Sequence, residues 1–212
     1  MGYGFSRYSG LWTGLKLVSD VVETTRSVAI NGDVGKFILP DVDGFSADQV
    51  IQRWPDDRWS QDQRTQNIKI PAALEFARAN SFNRIVMDAP GRRLGIVSAG
   101  KAYQDVRQAL DMLGITNELA TQIGLTVYKL GMIWPIEPEG ARAFAGGLKE
   151  IMVVEERRAF IEIQLKEMAF NWPASIRPRI IGKTDQNGAP LIPSTPRVLR
   201  PRSTMPICET DE

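Results

Sequence analysis

Three short stretches carry the side chains best suited to chemistry. The first is Ser98-Ala99-Gly100-Lys101. It follows the apolar run 94–97 and leads into Ala102, Val106, Ala109, Leu110 and Leu113 at helical spacing, so it reads as strand, tight turn and helix. Such a turn leaves the first helical N–H groups free and partially positive, an end that can hold an anion or a carboxylate. Turns of this kind in open α/β sheets mostly hold nothing, and one glycine is a far weaker signal than a complete phosphate loop. The second stretch is Gly131-Met132-Ile133-Trp134-Pro135-Ile136-Glu137-Pro138, and the third is Glu155-Glu156-Arg157-Arg158. A lysine at one strand end and a carboxylate at the next can hold each other or a charged substrate. Glu155 and Glu156 are adjacent and face opposite ways on a strand, which speaks against a shared proton. The candidate ligand or interdomain contacts are therefore Ser98, Gly100, Lys101, Trp134 and Glu155. The plainer reading of their charges is surface or subunit contact, and no residue is assigned as catalytic.

Two absences constrain the chemistry further. The 212 residues include no histidine, which removes the usual general base near neutral pH and the commonest metal ligand. The single cysteine, Cys208, cannot build a disulfide framework, a zinc knuckle or an iron–sulfur site within this chain. Asn31-Gly32-Asp33 is close to the Gly-Asp-Gly start of a thiamine diphosphate site, but it lacks the second glycine and the later asparagine pair, and it reads as a turn. A net charge of +1 gives no case for nucleic acid or an anionic membrane. No apolar run reaches the ~20 residues of a membrane span and the start has no signal-peptide order, so the expected location is the cytoplasm.

The elements that must position these residues follow from apolar spacing. Leu11, Leu15, Val18 and Val22 form one stripe of an amphipathic helix expected over 5–25, broken or entered at Ser9-Gly10. Short strands are expected at 28–30 and 37–39. Residues 40–66 read as an irregular arm, with Trp54 and Trp59 anchoring it to its own domain. Pro71 opens a helix through Asn80 with Leu74, Phe76 and Ala77 inward. After a short apolar segment at 84–87 and a turn at 88–91, strands at 94–97, 125–130, 149–154 and 179–182 alternate with helices ending at Gly114, Gly124, Phe144 and Phe170. That alternation argues for a mainly parallel sheet with helices on both faces, whose ligands would sit at the carboxyl ends of the strands. A turn at 185–188 and an aperiodic, disordered tail over 193–212 close the chain.

An ordered set of blocks resembles one family. Arg53-Trp54-Pro55-Asp56-Asp57, Lys69-Ile70-Pro71-Ala72-Ala73-Leu74, Leu94-Gly95-Ile96-Val97 and Gly100-Lys101-Ala102-Tyr103-Gln104-Asp105-Val106-Arg107-Gln108-Ala109-Leu110 are similar to the middle of the large fused indolepyruvate ferredoxin oxidoreductases. Gly131-Met132-Ile133-Trp134-Pro135, Glu137-Pro138-Glu139-Gly140, Val153-Val154-Glu155-Glu156 and Gln164-Leu165-Lys166-Glu167 continue the likeness, and Ser6-Arg7-Tyr8-Ser9-Gly10 resembles the exit of a pyrimidine-binding thiamine domain. The resemblance implies an α/β fold in three layers, a mainly parallel sheet similar to the transketolase C-terminal domain, preceded by a helix and an irregular linker arm. It implies four segments: 1–30 from the pyrimidine-binding domain, 31–89 a linker arm with a helix, 90–184 the transketolase C-terminal-like domain, and 185–212 a hairpin turn and tail. It further implies a fragment of a thiamine diphosphate-dependent 2-oxoacid oxidoreductase that passes electrons through iron–sulfur clusters to ferredoxin and the acyl group to coenzyme A. The fragment itself would bind none of these cofactors; it would contact the remaining domains of the enzyme, a homodimer when complete. The alternative reading is a stand-alone small-molecule or nucleotide-binding module that uses the Gly100 turn.

Overall fold

The computed structural model describes residues 1–25, 27, 35–42, 44–192 and 194. The strand expected at 28–30, the Asn31-Gly32-Asp33 turn, and the tail from 195 with Cys208 lie outside the described residues. The chain divides into two compact units, one built from Met1–Arg84 with Leu130–Ala143, the other from Ile85–Lys129 with the residues from Phe144 onward.

In the first unit the amphipathic helix is far shorter than its apolar stripe suggests. Helix α1 spans Gly2–Ser9 and stops at Gly10, which has φ 68° and donates its N–H to Ser6 O. A side chain there would press on the carbonyl and Cβ of Val50, so the position needs glycine and the helix ends. Beyond it, among the described residues of the stripe, one further helical turn forms, α2 at Ser19–Val22, and Leu15 stays 77% exposed. The arm also differs from the expectation. It contains α3 (Ala47–Val50) and α4 (Arg58–Arg64), the latter capped by Asp57, whose Oδ1 accepts the N–H groups of Trp59 and Ser60 at 3.0 Å. A π-turn over Thr65–Lys69 joins α4 to α5 (Ile70–Ala79). Trp54 and Trp59 do not anchor the arm: they are 93% and 72% exposed. The segment 37–39 is no strand. Its Ile38 pairs instead with the Asn80 side-chain amide, N–H to Oδ1 and Nδ2 to O, both 2.8 Å. The interior is aromatic, with Phe76 fully buried and ringed by Phe5, Tyr8, Phe37 and Phe82 at 5.5–5.8 Å between centroids. Met132 packs into the same cluster.

The sheet has the strand order β1-β3-β2-β4-β5, with β1 at Arg84–Met87, β2 at Leu94–Ala99, β3 at Leu125–Leu130, β4 at Glu150–Val154 and β5 at Arg179–Ile181. β2 and β4 are parallel in the register Leu94↔Glu150 to Ser98↔Val154, and β5 runs parallel to β4. β3 starts beside β2, since Gly124 O accepts the N–H groups of both Arg93 and Leu94. β1 is the reversed edge: Asn83, before it, binds Gly131 and Met132 after β3, while Asp88, after it, meets Thr126 at the start of β3. The result is the mainly parallel α/β sheet expected from the sequence.

Two-residue alternation distributes the core between the faces of this sheet. Leu94, Ile96, Met152 and Val154 pack with Val106 and Leu110 of α6 (Gly100–Met112) and Ala120 of α7 (Asn117–Ile123). The other face of β2 carries Gly95, where a Cβ would stand 2.6 Å from Leu148 and 2.7 Å from Phe144 at the end of α8 (Pro138–Ala145). The missing side chain makes room for the Phe144 ring, which is fully buried and stacks on Tyr128 at 4.8 Å. Helix α9 (Ile161–Phe170) connects β4 to β5 and buries Ile161, Leu165 and Ala169.

Asp88 links β1 to the turn that follows it and gives the unit an acid-sensitive contact. Its side-chain hydrogen bonds from Arg92, at 2.9 and 2.7 Å, together with the Ala89 N–H and the Thr126 hydroxyl, hold its carboxyl below the usual aspartate range against an opposing burial cost. A carboxyl whose folded pKa is depressed contributes stability above its unfolded value of about 3.9, and that contribution is lost as pH falls from there through the folded value. The side chain is 49% exposed, so solvent screens the pair. Asp88→Asn is therefore expected to cost less than about 1 kcal/mol at neutral pH, and the deficit should close on acidification below the aspartate range. Urea midpoints of both proteins across that range check this; a deficit that grows on acidification would refute it.

Candidate functional site

The crossovers leave β2 toward β3 on one side and return from β3 to β4 on the other, so the direction of winding reverses between β2 and β4. In open sheets that reversal opens a crevice at the carboxyl ends of the two strands. Ser98, Gly100 and Lys101 lie on the β2 side of this point and Glu155 to Arg158 on the β4 side. Trp134 follows β3, belongs to the other unit and is 60% exposed.

Gly100 takes φ 54°, the conformation that the sharp passage from strand to helix requires, and a Cβ there would meet nothing within 4 Å. Ala99 occupies the cap position of α6 with no side-chain hydrogen bond to the helix. Lys101, in the first turn, pairs with Asp105 at 2.8 Å one turn on and reaches Glu156 across the crevice at 3.6 Å. The lysine and the carboxylate of the neighbouring strand thus hold each other, as the sequence allowed.

Glu155 has a different job from its neighbour. It is buried, and its carboxylate accepts the N–H groups of Phe160 and Ile161 at 2.9 Å and of Glu162 at 3.1 Å. Those are donors at the start of α9 that have no partner within the helix, and the positive helix end favours a carboxylate there. Lys183 Nζ binds the Glu155 carbonyl, and the Lys183 N–H binds the buried Glu162 at 2.8 Å, tying β4, α9 and the end of β5 together. Glu155 and Glu156 are accordingly engaged in opposite directions and share no contact that would pass a proton. Asp105 and Glu162 escaped the reading of the sequence, although each stands four residues from a lysine, Lys101 and Lys166, a spacing that places opposite charges together on a helix.

In the other unit, Glu137 of the Trp134 stretch is buried and does structural work of the same kind. It accepts the N–H groups of Glu139 and Gly140 at 2.9 and 2.6 Å and pairs with Arg78 at 2.9 Å. This cap sets the start of α8 at Pro138. Among the described residues no group of three or more Asp, Glu, His or Cys side chains is placed to hold a metal ion.

Four parallel strands, a reversed edge strand and helices on both faces define a doubly wound α/β domain. Its relatives give it a family: the model of the indolepyruvate ferredoxin oxidoreductase middle domain matches residues 83–193, and the chain belongs to that family. Indolepyruvate oxidoreductase subunit IorA of Pyrococcus horikoshii is 33% identical over 79 residues, 37% of this chain and 11% of the relative. The subunit IorA of Methanothermobacter thermautotrophicus is 31% identical over 93 residues, 44% of this chain and 14% of the relative. The matches thus cover only a small part of these relatives' own length. A solved 2-oxoglutarate:ferredoxin oxidoreductase from Magnetococcus marinus superposes with a TM-score of 0.40 at 15% identity, over 64% of this chain and 22% of that one.

Proposed function

We propose that this chain serves as a structural, interdomain-contact part of a thiamine diphosphate-dependent 2-oxoacid ferredoxin oxidoreductase of the indolepyruvate type, and is inactive alone. The observation that carries this reading is how the charges at the strand ends are used. Lys101 is engaged by Asp105 and Glu156, and Glu155 by the start of α9, so these groups brace the fold. Trp54 and Trp59, in contrast, offer wide aromatic surface to a neighbour, which suits residues 31–89 to the role of a linker arm beside a domain at 90–184.

The cofactors of such an enzyme fit this chain poorly. One cysteine cannot supply the thiolates of an iron–sulfur cluster, and the thiamine motif is incomplete at Asn31-Gly32-Asp33. Thiamine diphosphate, clusters and coenzyme A would be held by other domains, with ferredoxin as acceptor and a homodimer as the complete form. No described helix is long and apolar enough to cross a membrane, which is compatible with work in the cytoplasm.

The test is direct. The purified chain, supplied with thiamine diphosphate, magnesium, coenzyme A, indolepyruvate and oxidised ferredoxin, is expected to reduce ferredoxin no faster than the mixture without protein. Protein-dependent ferredoxin reduction would overturn the proposal.

A further inference from the structure

We infer that the crevice between the carboxyl ends of β2 and β4 is a binding site for a phosphoryl group, built from the first turn of α6, the hydroxyl of Ser98 and the guanidinium groups of Arg157 and Arg158. The inference stands apart from the scaffold reading, since a domain without catalytic groups can still hold an anion.

Ser98 is the observation that points to a ligand. It is fully buried, yet its Oγ has no hydrogen-bond partner among the described residues. A buried hydroxyl is rarely left so, and the exceptions call for an explanation. Leu94 and Ile96 pack on the core beneath α6 and α7, and strand alternation sends Ser98 to that same face, one step nearer the carboxyl end, where α6 begins. Above it lies a thirteen-residue helix whose start has no side-chain cap, so its leading N–H groups are donors in need of acceptors. Gly100, at the mouth of the turn, is exposed, and its Cβ position meets only open space.

The surrounding charge suits an anion. Lys101 carries one positive charge beside the carboxylates of Asp105 and Glu156. The loop after β4 adds Arg157 and Arg158, both exposed and neither hydrogen-bonded nor ion-paired among the described residues. Glu155, the remaining acid of the loop, is turned away onto α9. Three cations against two carboxylates, together with the positive helix end, leave an excess of positive charge. Guanidinium forks match the geometry of phosphoryl oxygens better than they match a single-charge anion such as chloride.

The experiment is an amide NMR titration of the whole chain with potassium phosphate, and separately with methyl phosphate, at constant ionic strength held with potassium chloride. Saturable shifts of the Gly100, Lys101 and Ala102 amides are expected. Tighter binding of methyl phosphate would identify a phosphate ester as the natural source, and tighter binding of phosphate the free ion; either upholds the site. Arg157→Gln combined with Arg158→Gln, both at the surface, should weaken binding at least tenfold. Ser98→Ala should raise the melting temperature of the ligand-free chain, by removing the unpaired hydroxyl, while weakening phosphate binding; a purely structural serine would leave affinity unchanged. Shifts that fail to saturate, that match those from chloride alone, or that persist unaltered in both variants would overturn the site. Ferredoxin reduction plays no part in this readout, so its outcome and that of the scaffold test are separable.

Discussion

Gly124→Ala is expected to destabilise the sheet unit by about 3 kcal/mol, far more than one added methyl group ordinarily costs. Gly124 ends α7 at φ 75° and donates its N–H to Ala120 O. Its carbonyl accepts the Arg93 and Leu94 N–H groups at 2.8 and 3.1 Å, so the residue cannot rotate to an ordinary conformation without releasing the start of β2. A Cβ would overlap the backbone carbonyl of Gly91 and crowd the Arg93 stem at 3.0 Å. The left-handed backbone costs an L-residue about 1–2 kcal/mol, and overpacking against an atom that cannot swing aside adds about 1–3 kcal/mol. Gly188→Ala separates the two terms. Gly188 has φ 83° but open space around its Cβ position, so its replacement should cost only about 1 kcal/mol. Urea unfolding of the two variants beside the parent chain checks the comparison; equal losses at the two positions would show that the Gly91 contact carries no energy.

The second large effect belongs to Glu155. Glu155→Ala leaves three N–H groups at the start of α9 without their acceptor, two of them buried and that of Phe160 partly so, and an unsatisfied buried donor costs about 1–3 kcal/mol. Water entering the space left by the side chain recovers part of this, so the expected loss is about 3–4 kcal/mol. Glu155→Gln keeps one acceptor oxygen and forfeits the charge, and should lose about half as much. Unfolding midpoints give the energies, while hydrogen exchange locates them: the amides of Phe160, Ile161 and Glu162 should exchange faster in Glu155→Ala well before the β2 amides do. Unchanged protection at those three amides would refute the capping role.

What could be read from the sequence tracks where local and tertiary preferences agree. β2, β3 and β4 are apolar runs bounded by glycine or charge, and burial in the sheet enforces what their composition favours, so the mainly parallel α/β fold was legible. The turn at Gly100 was legible for the same reason, whereas the sequence left open whether Lys101 holds a carboxylate of the next strand or a charged substrate. The N-terminal stripe misled because Leu11, Leu15, Val18 and Val22 recur at helical spacing, while Gly10 packed on Val50 stops the helix before them. The extended run 37–39 has the composition of a strand, but the acceptor and donor it meets are an asparagine side chain forty-two residues away, which no local pattern announces. Ser46 and Asp57 in the arm were usable start signals: Gln49 accepts the Ser46 N–H at 3.0 Å, and Asp57 caps α4. At the candidate site, the dual use of Glu155 and Glu156 followed from their adjacency. That Glu155 would serve α9 depends on how the loop folds back, and Ser98 gives no sign in the sequence that its hydroxyl goes unanswered.

The unit that holds α1 and α5 borrows residues 130–143 from the middle of the sheet domain's sequence, and Met132 sits among its aromatic rings. The family match, 83–193, therefore includes the borrowed loop but omits most of its host. A truncation starting at Ile85 would orphan that loop and expose its thioether, so poor behaviour of such a fragment would speak to a missing host and not to any weakness of the sheet.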